Sequence, residues 1–150
     1  MTANNQDKVG AYASNQQQEA ELDGRETDKR ALLNCAIRLK LALDDAGKDM
    51  ATYVEAIRHN QRLWTIFQVA LCDPENPLPR DLKVTLLNLS RYVDKVSFRA
   101  ISSFAPNLLN SLIDINRIIA NGLGKKTGQA AVQQPPAQPL TPPTSVMTSA

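Results

Sequence analysis

The sequence predicts an all-α protein: a compact bundle of about four antiparallel amphipathic helices, with a disordered N-terminal arm and a disordered Pro/Gln-rich C-terminal tail. Three observations predict it. Apolar residues recur at steps of three and four through four separate segments, the spacing of one helix face. Those segments are filled mostly by Leu, Ile and Ala, and aromatics make up only 5% of the chain, which favours helix over strand. No segment shows the period-two alternation of a half-buried strand between turns.

Residues 1–20 are rich in Asn, Gln and Ala and offer little to bury, so they read as a mobile arm that Tyr12 could anchor in part. A helical domain is expected over 21–123. Its first helix runs from about residue 25 to 46, with Leu32, Ala36, Leu39 and Leu43 in register and Leu33, Cys35, Ile37 and Ala42 widening the apolar face. Asn34, Arg38 and Asp45 mark its polar stripe, and Gly47 ends it. A face this broad needs cover on several sides, from its own domain or from a partner.

The second helix is expected from Asp49, an N-cap residue type, to Cys72. Tyr53, Ile57, Trp64, Phe67 and Leu71 form its seam, and Asn60 is a polar residue within that seam. Glu55 is spaced to pair with Arg58 or His59 on the wet face. Asp73-Pro74-Glu75-Asn76-Pro77-Leu78-Pro79 then sets three prolines in six residues, which makes a stiff connector. The third helix spans about 80–101 through Leu82, Leu86, Leu89, Val93, Val96 and Ala100. Pro106 suits the first turn of a fourth, which carries Leu108, Leu112, Ile115 and Ile119 to about residue 120 and closes at Gly122. Residues 124–150 hold five of the nine prolines and little to bury, and are expected to be disordered.

A formal charge of +2 with interleaved acids and bases lacks the basic face that nucleic-acid binding needs, so direct nucleic-acid contact is not expected. The N-terminus has no apolar signal core, and the longest apolar run, residues 63–72, is too short to cross a bilayer. The expectation is a cytoplasmic protein with no membrane partner, in which Cys35 and Cys72 are free buried thiols.

Chemistry is sparse. One histidine and two distant cysteines do not make a zinc site, so no metal, and no cofactor, is expected. His59 and Cys72 lie thirteen residues apart on one helix, roughly 20 Å at the helical rise, and cannot form a nucleophile pair. Cys35 could meet His59 across helices, but His59 falls on a polar face. Gly122-Leu123-Gly124-Lys125-Lys126-Thr127 lacks the spacing and strand context of a phosphate loop. Asp44 and Asp45 are helix neighbours that point apart. The chain reads as a binding protein with no small-molecule substrate, not as an enzyme.

Asn60-Gln61-Arg62-Leu63-Trp64-Thr65-Ile66-Phe67, followed by Asp73-Pro74, Asn76-Pro77-Leu78-Pro79 and Leu82, resembles the FlaF family of flagellar biosynthesis regulators. So does the ending Leu112-Ile113-Asp114-Ile115-Asn116-Arg117-Ile118-Ile119-Ala120-Asn121-Gly122-Leu123. Tyr12, Arg25-Glu26 and Asn88-Leu89 are similar as well, so the likeness covers roughly residues 10 to 123. The Asn/Gln-rich start and the Pro/Gln tail have no counterpart in it. The resemblance implies a regulator that promotes flagellin synthesis and export, by binding flagellin as a chaperone. Alternatively it implies a post-transcriptional regulator of flagellin messenger RNA, acting directly or through a companion regulator of the FlbT type.

Candidate partner-binding residues are Asn60, Arg62, Leu63, Trp64, Pro77, Leu78, Pro79, Asn116 and Arg117. Each also has a structural reading. Trp64, with Phe67, fits core packing better than a contact surface. Arg62 and Arg117 fit a solvated face, with a charged rim around a groove as the alternative. Asn60 and Asn116 fit buried amides that satisfy a connector's backbone and fix register. Pro77-Leu78-Pro79 is either a rigid recognition element or a corner.

Overall fold

In the computed structural model, which describes residues 6–45 and 48–124, the apolar spacing resolves into four helices: α1 Gln6–Asp44, α2 Met50–Cys72, α3 Arg80–Ser102 and α4 Leu109–Leu123. A 3₁₀ turn at Pro106–Leu108 leads into α4, with the proline at its first position as its fixed φ favours. There is no strand among the described residues. Gly47 and residues 125–150 lie outside them, as do residues 1–5.

Asp49 caps α2 as its residue type predicts. Its Oδ1 accepts from the Ala51 and Thr52 backbone N–H groups at 3.0 and 3.3 Å, and its Oδ2 accepts from the Thr52 hydroxyl at 2.6 Å. These bonds hold the Asp49 carboxyl below the ordinary carboxylate range. α3 ends differently. The Ala105 N–H reaches back to the Ala100 carbonyl at 3.2 Å, and the Phe104 N–H points to that of Ile101. This is a Schellman closure with Phe104, φ 42°, where glycine is usual. The strain is held by packing: the Phe104 ring meets Tyr53 edge-on at 5.1 Å, and the buried Tyr53 hydroxyl donates to the Ala100 carbonyl at 2.7 Å.

α1 packs most extensively on α4 and also lies against α2, while α2 packs on α3. Leu32, Ala36 and Leu39 of α1, Tyr53, Ile57 and Trp64 of α2, Val93 and Ala100 of α3, and Leu109, Leu112 and Ala120 of α4 fill the centre. The alanines allow close helix approach while the larger residues interdigitate.

Several expectations are corrected. α1 starts at Gln6, not near Arg25, so residues 6–20 of the expected arm continue the helix. Every residue in 8–24 is exposed, and Tyr12 anchors nothing at 71% exposure. α1 is 39 residues long, about 58 Å at the helical rise, and its first half projects beyond the packed part. α4 runs through Gly122 to a cap at Gly124. Ile37 and Leu82, assigned to apolar faces, are 56% and 43% exposed. Cys35 is buried, but Cys72 is exposed at the end of α2; both are free.

Candidate partner-binding cleft

α2 and α4 scarcely touch through their backbones; buried side chains join them instead. The Trp64 Nε1–H donates to Asn116 Oδ1 at 2.9 Å, and Asn116 Nδ2 donates to Asn60 Oδ1 at 2.7 Å. Trp64, Asn60 and Asn116 are all buried. Hydrogen bonding satisfies what burial would otherwise penalise, and the chain of amides ties α2 to α4 in one register. Among the described residues, Asn60 Nδ2 and the Ser97 hydroxyl are the buried side-chain polar atoms left without a partner. Asn60 and Asn116 are therefore buried amides as expected, but they satisfy each other and Trp64, not a connector.

The connector is held by a different asparagine. Asn76 Nδ2 donates to the Ala70 carbonyl at 2.9 Å, and Asn76 Oδ1 accepts from the Leu78 N–H at 3.0 Å. Asp73 adds a turn, its Oδ1 accepting from the Glu75 N–H at 2.9 Å. The signal was the Asn76-Pro77 dipeptide, since asparagine before proline favours a side-chain-closed turn.

This fixed connector walls a cavity of about 150 Å³ at one end of the bundle. Trp64, Phe67, Ala70 and Leu71 of α2 line it, with Leu86 of α3 and Ile119 and Leu123 of α4. Asn76 and Leu78 close it from the connector, and Asp28 of α1 supplies its one charge. Trp64 and Phe67 meet edge-on at 5.7 Å, so the tryptophan that anchors the amide network also shapes the cavity. Burial raises the Asp28 carboxyl above the ordinary value.

Of the sequence candidates, Trp64 and Leu78 meet at the cavity, and Pro77 and Pro79 flank it from exposed positions. Leu63 is half-buried against the core. Arg62 is exposed and pairs with Glu55 at 2.6 Å, two turns away, so Glu55 takes neither Arg58 nor His59 as its ion-pair partner. The hydrogen bond from Arg62 lowers the Glu55 carboxyl. Arg117 is exposed on α4, away from the cavity lining. Asp28 and Asn76 were missed, because neither belongs to an apolar seam.

Burial raises the Cys35 thiol, only partly opposed by Arg38, which is the reverse of an activated nucleophile. Burial also lowers His59, helped by the positive charges of Arg38 and Arg62. Among the described residues, no group of three or more His, Cys, Asp or Glu could hold a metal ion. None of their helices is long and apolar enough to cross a membrane. The arrangement presents an apolar recess lined by one carboxylate.

Compared with known proteins, the chain matches the family described as Flagellar protein FlaF over residues 9–123. No curated protein matches it, and no solved structure does.

Proposed function

The chain belongs to the FlaF family of flagellar proteins, and on that premise we propose that it promotes flagellin synthesis and export by binding flagellin as a cytoplasmic chaperone. One observation carries the reading: an apolar cavity assembled from all four helices and closed by a stiff connector. A preformed recess lowers the entropy lost on recognition. The helix-in-groove mode, in which apolar anchors of an amphipathic helix enter such a recess, suits the terminal helices of unpolymerised flagellin. Covering their apolar faces would prevent premature association. Most of the broad face of α1 is covered by its own domain: Leu32, Cys35, Ala36, Leu39 and Ala42 are buried within the bundle, while Ile37 on that face is exposed.

Titration calorimetry of the protein against monomeric flagellin tests the proposal, with terminally truncated flagellin as control. The expected result is micromolar or tighter binding, about −8 kcal/mol or better, that disappears with the truncated form. Absence of binding would overturn the chaperone reading and make a companion regulator of the FlbT type the next partner to titrate.

A further inference from the structure

Asp28 lines the cavity four residues beyond the exposed 8–24 stretch of α1, so the cavity lies next to that half of the helix. Glu21 lies seven residues earlier, two turns away on the same side. Gly24 lies between them with nothing within 4 Å of the Cβ it lacks. A second helix can therefore approach the α1 backbone closely at that point. Glu19 and Asp23 add negative charge to the same stretch, while Glu26 pairs with Arg30 at 3.5 Å. Of the cations on this stretch, Lys29 Nζ lies beside Gly124 at the C-terminal end of α4, whose negative end favours a cation, and Arg25 is already engaged.

We propose that the cavity and the Asp28–Glu21 side of α1 together receive a basic amphipathic helix, which seats one aliphatic or aromatic side chain in the cavity and brings a Lys or Arg to Asp28. The inference rests on the binding reading above and names the chemistry its partner must present. A volume of about 150 Å³ accommodates roughly one benzene-sized group. The lining around it is apolar except for Asn76 and Asp28. An incoming cation would offset the desolvation that burial imposes on Asp28, and the surrounding carboxylates would steer it.

The test is fluorescence anisotropy of a labelled synthetic amphipathic helix of leucine and lysine, titrated with the full-length protein. Its leucine–glutamate counterpart is the control. The lysine peptide is expected to bind and the glutamate peptide to bind far more weakly. Asp28→Asn is expected to weaken the lysine peptide about tenfold, the scale of one hydrogen bond to a charged group. Leu78→Ala in the connector should weaken it too, while Asp114→Asn, on an exposed position of α4 outside the cavity lining, should leave it unchanged. Equal binding of the two peptides, or equal effects of Asp28→Asn and Asp114→Asn, overturns the proposal. Flagellin separates it from the chaperone reading: flagellin bound equally well by the Asp28→Asn protein sinks this surface alone. Peptide recognition without flagellin binding sinks the chaperone reading alone.

Discussion

The two halves of α1 are one continuous helix in two different physical situations. Between Leu32 and Ala42 the helix buries five side chains against α2 and α4. Over residues 8–24 it buries none, and Val9, Tyr12 and Leu22 stand 57–71% exposed. Packing makes the first stretch; the second exists because adding residues to a formed helix avoids the cost of a new nucleus. Gly10 and Gly24 weaken that extension by about 1 kcal/mol each relative to alanine. The lesson is that helix and amphipathic pattern are separate properties, and only the pattern requires a core.

The largest effect that sharpens this contrast is Leu39→Ala against Leu22→Ala. Leu39 is fully buried, so its truncation should destabilise by about 3 kcal/mol, through lost transfer energy and the cavity left behind. Leu22→Ala should stay within about 0.5 kcal/mol, as surface changes do. Urea unfolding followed by Trp64 fluorescence measures both. A Leu22→Ala loss near that of Leu39→Ala would mean that the exposed half is packed in solution, and the comparison fails.

Next in size is Asn116→Ala. It leaves the Trp64 Nε1–H and Asn60 Oδ1 buried and unpaired, at about 2 kcal/mol for the desolvated groups. The same unfolding assay reads it, and a loss under about 0.5 kcal/mol would show that the amides do not tie α2 to α4.

What the sequence made legible follows from the same division. Wherever a seam existed it located the element: α2 begins after Asp49 and ends at Cys72, and α3 begins at Arg80, as the pattern indicated. The start of α1 was invisible because residues 6–24 have no seam, and periodicity registers burial, not helicity. The two asparagines beside seams were legible as buried amides. Their partners were not, because α2 and α4 meet only through tertiary packing, and Asn60 and Asn116 lie 56 residues apart. For the cavity, Trp64 and Leu78 came from motifs, whereas Asp28 gave no signal at all. A lone aspartate among the charged residues of the first helix looks solvated until the fold sets it on one cavity with Leu123 and Phe67.

Asp28 gives the smallest effect and the one with the inverted sign. Its carboxyl is raised in the folded chain by burial, so the native state binds that proton more tightly than the unfolded chain does. Its contribution therefore favours folding once the group is protonated and opposes folding as pH rises through the raised folded value. At neutral pH the ionised carboxylate is a burden on stability, and Asp28→Asn should unfold at the same or a slightly higher temperature than the parent. The gap should close toward about pH 3, where aspartate is neutral in both states. Melting curves of the two proteins from neutral pH downward decide it. A variant that melts lower at neutral pH would mean that the carboxylate already has a stabilising partner, and the cavity would lose its open charge. A variant that melts higher would identify Asp28 as a residue kept at some expense of stability, which is the pattern expected of a binding residue.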